Sequence, residues 1–204
     1  DYKGKPYTPK TYAEACGLVA DDYVLITSFS HHPFYTQFIL EVPDNWNWQP
    51  AYNLPLNEFQ EVMTHAITTG YTFAWAADVS EKGFLFKDGL AVVPETSFTT
   101  MSEEDKKNLS LKPHKQLAIT QEIRQHAFDN YETQDDHGMH IVGMAKEQSN
   151  TPYYIVKNSW GTDRNQCDGY FYASESYVLY KTTSILVHKK GIPAGLAKKL
   201  GILQ

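Results

Sequence analysis

Two residues in the second half of the chain are spaced as a general base and its holder would be. The run Asp-Asp-His-Gly-Met-His-Ile-Val-Gly-Met-Ala, residues 135 to 145, is followed by a short polar connection and then by Tyr-Tyr-Ile-Val-Lys-Asn-Ser-Trp-Gly, residues 153 to 161. Two apolar strands joined by the turn-rich segment Glu147 to Pro152 are expected, with His140 opening the first and Asn158 closing the second. Antiparallel pairing brings the start of one beside the end of the other, so His140 and Asn158 are predicted to face each other. An imidazole held by a carboxamide is the base half of a cysteine nucleophile system. The free thiol is too weak an acid to ionise fully near neutrality, so the imidazole takes its proton and later returns it to the leaving amine. The carboxamide oxygen of Asn158 would stop the ring rotating, and Trp160 would keep water off that hydrogen bond.

Other residues invite a chemical reading and lose it. His137, preceded by Asp135 and Asp136, forms a His-x-x-His pair with His140 that could pass for a metal site. Residues three apart on a strand point to opposite faces, a poor chelating geometry, so neither a metal nor any other cofactor is expected. The required thiol is not evident. Cys16 lies between Ala15 and Gly17 at the end of a short helix and reads as a small buried hydrophobe, while Cys167 falls in the polar loop 162–168. His31 and His32 read as an exposed pair in a turn, and His65 and His126 as structural histidines on helices. Asp78 ends a strand and is noted without a role.

The elements that must position these residues can be read in order. Thr8 and Pro9 start a short helix that Gly17 stops. Residues 23–29 and 34–42 read as strands, and 44–55, with Trp46 and Trp48, as an irregular aromatic arm. Phe59, Val62, Met63, Ala66 and Ile67 recur at helical spacing between a predicted cap at Asn57 and a stop at Gly70. Residues 71–79 form a strand and 81–116 a surface excursion with a short helix in 102–107. Thr120 opens another helix. Residues 170–173 read as a strand, Ser174 as a cap, and 182–188 as a final strand. Strands clustered late, beside a few helices, give an α+β domain built on an antiparallel β-barrel with flanking helices. Residues 1–190 are read as the barrel-containing part and 191–204 as a carboxy-terminal tail.

The Met-His-Ile-Val-Gly-Met-Ala and Lys-Asn-Ser-Trp-Gly segments, with Asp-Gly-Tyr-Phe at 168 to 171, resemble the histidine and asparagine motifs of papain-like cysteine peptidases. Thr8-Pro9-Lys10, Asp21 to Leu25, the helix-like run Leu56 to Gly70 and Trp75 to Val79 resemble, in that order, the bleomycin hydrolase and aminopeptidase C branch. The resemblance runs from about Tyr7 to His188. It implies a papain-like fold, catalytic roles for His140 and Asn158, a peptide substrate, aminopeptidase action and a hexameric ring. It also implies a nucleophile cysteine and an oxyanion glutamine on the amino-terminal half of the parent chain. Nothing in these 204 residues matches either, so the chain is expected to be the carboxy-terminal part of a longer protein and inactive alone. The family's chain end lies in the cleft, and the tail here departs from that ending.

Bulk properties narrow the partners. A formal charge of -6 and the absence of any long basic run exclude a nucleic-acid footprint or an anionic membrane surface. No apolar segment approaches the length of a bilayer span. Two cysteines provide no disulfide framework, which points to a reducing, cytoplasmic setting. The competing expectation is a non-catalytic binding module that kept the fold, docking a partner through the aromatic arm and the apolar tail.

Overall fold

The period-two alternation of residues 182–188 and the helical stripe from Phe59 to Ala66 both fold as their patterns require, and both contribute to the main core. The structure is a computed structural model and describes residues 1–203. In chain order it contains α1 (Pro9–Ala15), β1 (Tyr23–Thr27), β2 (Gln37–Ile39), β3 (Pro50–Asn53), α2 (Leu56–Thr68) and β4 (Phe73–Ala77). There follow β5 (Phe84–Leu85), β6 (Leu90–Ala91), α3 (Glu103–Asn108), α4 (Gln121–Asp129), β7 (His137–Lys146) and β8 (Pro152–Lys157). The chain closes with β9 (Tyr170–Ser174), α5 (Glu175–Lys181), β10 (Thr182–His188) and α6 (Ala194–Lys199).

The strands form one mixed sheet in the order β2-β3-β1-β10-β4-β7-β8-β9-β6-β5. Its centre is antiparallel, as expected. Parallel pairing occurs where β1 meets β3 and where β6 meets β9. The run of pairings extends from β2 at one end to β5 at the other, with helices beside it, so the α+β class with flanking helices expected from the sequence is present. The register explains the core. Ile26 lies opposite Ile185, Ile185 opposite Trp75, and Trp75 opposite Met139, one buried row across four strands. The neighbouring row, Leu25, Leu186, Ala74, His140 and Lys157, points to the other face, where Ala74, His140 and Lys157 are exposed.

Helix α2 lays Phe59, Val62, Met63 and Ala66, all without solvent exposure, on that core. It starts at Leu56, with Pro55 at the cap position, so Asn57 is not the cap. The Leu56 N–H at its first turn is met instead by Gln121 Oε1 of α4 at 2.8 Å. Caps predicted at Thr8, Ser102, Thr120 and Ser174 are all present, each accepting a backbone N–H of its helix.

Several expectations are corrected. Cys16 is exposed, because α1 buries none of its residues and provides no apolar packing for the thiol. The aromatic arm contains the missed strand β3, whose Asn53 side chain is buried and bonds both the N–H and the carbonyl of Phe29. Trp46 and Trp48 on the arm remain 82% and 63% exposed, so they belong to the surface. The segment after Gly191 is packed inward: Ile192, Leu196, Ala197, Leu200 and Ile202 all join the main core. Gly191 approaches Tyr71, Ala66 and Val187 so closely that a Cβ there would lie 3.1–3.3 Å from their side chains. A tail so placed has most of its apolar residues committed to its own chain, while Leu203 stays exposed.

Candidate active site

The first of the two site strands opens at His137, three residues earlier than the sequence reading placed it. His137 sits opposite Ala77, the last residue of β4. Just beyond that point the chain is clipped together by carboxylates. Asp78, 2% exposed, accepts from the Ser80 N–H and hydroxyl through Oδ1 and from the Gln134 N–H through Oδ2. Asp136 accepts from the Val79 N–H at 2.9 Å. Tyr177 on α5 donates to the Asp78 carbonyl, and the Asp78 N–H donates to Lys181 O. These bonds fix the exit of β4 against the loop that leads into β7. They aim the residue that follows Asp136, which is His137. Sequence reasoning left Asp78 without a role, and the structure makes it a positioning residue.

Asn158 follows β8 directly. Its backbone N–H donates to Gly169 O, and its side chain is 7% exposed. Asn158 Oδ1 lies 2.8 Å from His137 Nε2 and 2.8 Å from the Ser159 N–H. The backbone N–H can only donate, so Oδ1 is the acceptor and His137 Nε2 must carry the proton. Neutral His137 is thereby fixed as the Nε2–H tautomer, leaving Nδ1 with a free lone pair. The other end of the amide, Nδ2, is buried with no partner among the described residues. Trp160 covers the pair, with its ring centroid 5.0 Å from that of His137. Phe84 and Phe86 meet the indole edge-on at 5.8 Å and 4.9 Å, so Trp160 is backed by aromatic packing although it stays 41% exposed.

His140 is not at this site, which corrects the pairing expected from the sequence. Its Nε2 bonds Thr72 Oγ1 at 2.9 Å on the exposed face of the sheet. Partial desolvation, and secondarily the Lys157 cation, lower its pKa from the ordinary histidine value. The reason for the swap lies in strand parity. His140 is directly opposite Lys157, and cross-strand partners share a face. Asn158, next along, takes the other face, and so do residues at odd separations from 140. His137 satisfies that parity and His140 does not. The signal was in the sequence: the alternation that argued against a His137–His140 metal pair also separates His140 from Asn158.

Neither sulfur reaches the ring. Cys16 ends α1 beside Tyr12, and Cys167 packs against Gly89 and lines a separate hollow with Lys112 and His114. Within the described residues, the site is a clamped, oriented imidazole with an aromatic cover.

Comparison with known proteins agrees with this geometry at the level of fold. PepW from Lactobacillus rhamnosis HN001 superposes with a TM-score of 0.68 at 20% identity, covering 97% of this chain and 42% of its own. This chain therefore spans less than half the length of PepW. The bromelain protease from Ananas comosus, solved with the E64 inhibitor, aligns over 63% of this chain and 45% of its own at 15% identity. Its TM-score of 0.35 is too low to support a structural argument. No curated protein matches the chain. The sequence profile of the Peptidase C1-like family matches residues 2–201, the span that includes the sheet, the clamped imidazole and its cover, and the chain belongs to that family.

Proposed function

We propose that this chain carries the histidine and asparagine of a cysteine-type peptidase of the bleomycin hydrolase and aminopeptidase C branch, with His137 in the role that the sequence reading gave to His140. The observation that carries the reading is the 2.8 Å bond from His137 Nε2 to Asn158 Oδ1 beneath Trp160. With Nε2–H held by the carboxamide, Nδ1 takes the proton of an incoming thiol. The thiolate adds to the scissile carbonyl, and the imidazolium returns the proton to the departing amine, leaving a thioester. Water, deprotonated by the same Nδ1, then releases the acid and restores the thiol. The carboxamide is neutral, so Asn158 orients the ring without a second carboxylate competing for the proton.

In this reading the sulfur and the oxyanion donors come from the amino-terminal half of the parent chain. Its partners are that half, a peptide substrate cleaved from its amino terminus, and further copies in a hexameric ring in the cytoplasm. The rival reading, a binding module, keeps one supporting observation, the exposure of Trp46 and Trp48. The tail that was to share the docking is occupied in the core.

A fluorogenic aminoacyl amide assay tests the division of labour. The purified 204-residue chain is expected to give no release above the blank, before or after thiol alkylation. Turnover abolished by alkylation would show that Cys16 or Cys167 serves as nucleophile and would overturn the proposal.

A further inference from the structure

On the outer face of the sheet, the excursion between β6 and α4 turns back over the strands. Its residues 109–114 and the strands β7, β8, β9 and β6 form a hollow of about 360 Å³. Strand parity separates this hollow from the clamped imidazole. Tyr153 in its floor lies four residues before Lys157 on β8, so both take the face that carries His140, while Asn158 turns to the other. Tyr172, also in the floor, pairs with Ile155 on that same outer face. We propose that this hollow binds a free peptide of about three residues, its ammonium group toward Asp88 and its carboxylate toward Lys146 and Lys112. Such a site lies beyond the peptidase reading and would exist whether or not the parent chain cleaves peptides.

Opposite charges stand at the two ends of the hollow. Asp88 lies two residues before β6, and Lys146 is the last residue of β7. Across the sheet, three strand spacings of about 4.8 Å separate those strands. An extended tripeptide is about 10 Å long, and the long side chain of Lys146 reaches in from its end. Lys112 belongs to the Lys146 end, because His114 neighbours both the Lys112 carbonyl and Glu147. Asp88, Lys112 and Lys146 are exposed, and none takes part in an ion pair among the described residues. Glu147 is committed elsewhere: its two oxygens accept the Ser149 and Thr151 N–H groups at 2.6 Å and 3.0 Å. The charges left for a guest are thus one acid at one end and two ammonium groups at the other. They match a zwitterion in one direction and oppose it in reverse.

Between the ends the walls carry no charge. Tyr153 is 7% exposed, and burial pushes its phenol up to about 12, so it stays un-ionised at neutral pH. Gln116 Oε1 accepts the Val93 N–H at 3.0 Å, so Gln116 Nε2 is the donor to His114 Nε2 at 2.8 Å, a bond that only the neutral ring accepts. Leu90 and Tyr172 are cross-strand partners in the floor, and the buried Leu109 adds to the wall. Hollows of roughly 300–1,000 Å³ with apolar walls and a few placed polar groups hold small ligands.

Isothermal titration of the 204-residue chain at pH 7 tests this with three probes: Leu-Ala-Leu with both ends free, its N-acetyl form and its carboxamide. The free tripeptide is expected to bind most tightly, and each cap to weaken it about threefold, the size that exposed charge pairs give. Asp88→Asn should remove the effect of the acetyl cap, and Lys112→Gln with Lys146→Gln that of the amide cap. All three positions are exposed, and circular dichroism checks the folding of each variant. Cys167 lines the hollow and locates the binding. In a Cys16→Ser chain it is the one thiol left, and saturating free tripeptide is expected to slow its alkylation by iodoacetamide several-fold. No binding at millimolar peptide, equal affinity for the three probes, or cap effects that survive the substitutions would each overturn the proposal. So would binding that shifts the Trp160 indole resonance and leaves Cys167 unprotected, since the peptide would then occupy the other face.

Discussion

On the proposed function, once a nucleophile-bearing half is supplied, His137→Ala is expected to lower kcat by about a thousandfold or more, while His140→Ala leaves it within about twofold. The asymmetry follows from position. His137 is the ring whose Nε2–H is fixed by Asn158 and whose Nδ1 is free to exchange the thiol proton. Without it, the thiol is ionised only to its small intrinsic extent near neutral pH, and the leaving amine has no proton donor. The loss should fall on kcat rather than KM, because proton transfer strengthens in the transition state and contributes little to ground-state binding. His140 bonds Thr72 on the opposite face, and its removal leaves the base untouched. Steady-state kinetics on the two variants, with circular dichroism to confirm that each is folded, checks this. A collapse of kcat in His140→Ala alone would restore the assignment made from sequence.

The second large effect concerns the chain end. Deleting residues 192–204 is expected to leave a chain that does not fold cooperatively, as read by urea denaturation. The deletion removes Ile192, Leu196, Leu200 and Ile202 from the main core. Truncating one such side chain costs about 2–5 kcal/mol, so their loss together comes to roughly 8–20 kcal/mol, as large as the roughly 5–15 kcal/mol by which a domain is stable. Leu196→Ala alone should cost about 2–4 kcal/mol. The surface ion pair from Lys199 to Glu58 contributes little beside this. An appendage lying in a cleft would behave differently: its removal would leave stability intact and alter where peptides are cut. A deletion variant with an unchanged unfolding midpoint would contradict the packing described here.

What the sequence disclosed was whatever has a period or a cap. The stripe of α2, the alternation of β10, and the helices started by Thr120 and Ser174 were all legible, because each pattern is long enough to repeat or carries a side chain that satisfies an orphan N–H. Strand β3 was not legible: it is four residues long, too short to show a period in the sequence, and opens with Pro50. Strands β5 and β6, two residues each, are below the length at which any period exists, yet β5 supplies Phe84 to the cover of the site. Cys16 was read as buried from residue type alone, and a helix with no core contact leaves it in solvent. The tail had apolar residues at mixed spacing, which gives no face until the short α6 and its flanks are folded against α2 and β10.

The site itself was half legible. Asn158 and Trp160 stand where the spacing placed them, one buried and one covering. The histidine was misassigned by three residues, an odd number, and in a strand an odd offset exchanges one face of the sheet for the other. That single step moved the expected base from a clamped position beside the core to a solvent-facing row. The fold class could not reveal the error, because either histidine lies on the same strand.

The nitrogen chemical shifts of the histidine rings in the ¹⁵N-labelled chain test the clamp most directly. The account predicts that the neutral form of His137 is the Nε2–H tautomer, and that Asn158→Ala lets it exchange between tautomers while the His140 resonances stay in place. A His137 ring protonated on Nδ1, or a ring at 140 that responds to Asn158→Ala while 137 does not, would contradict it.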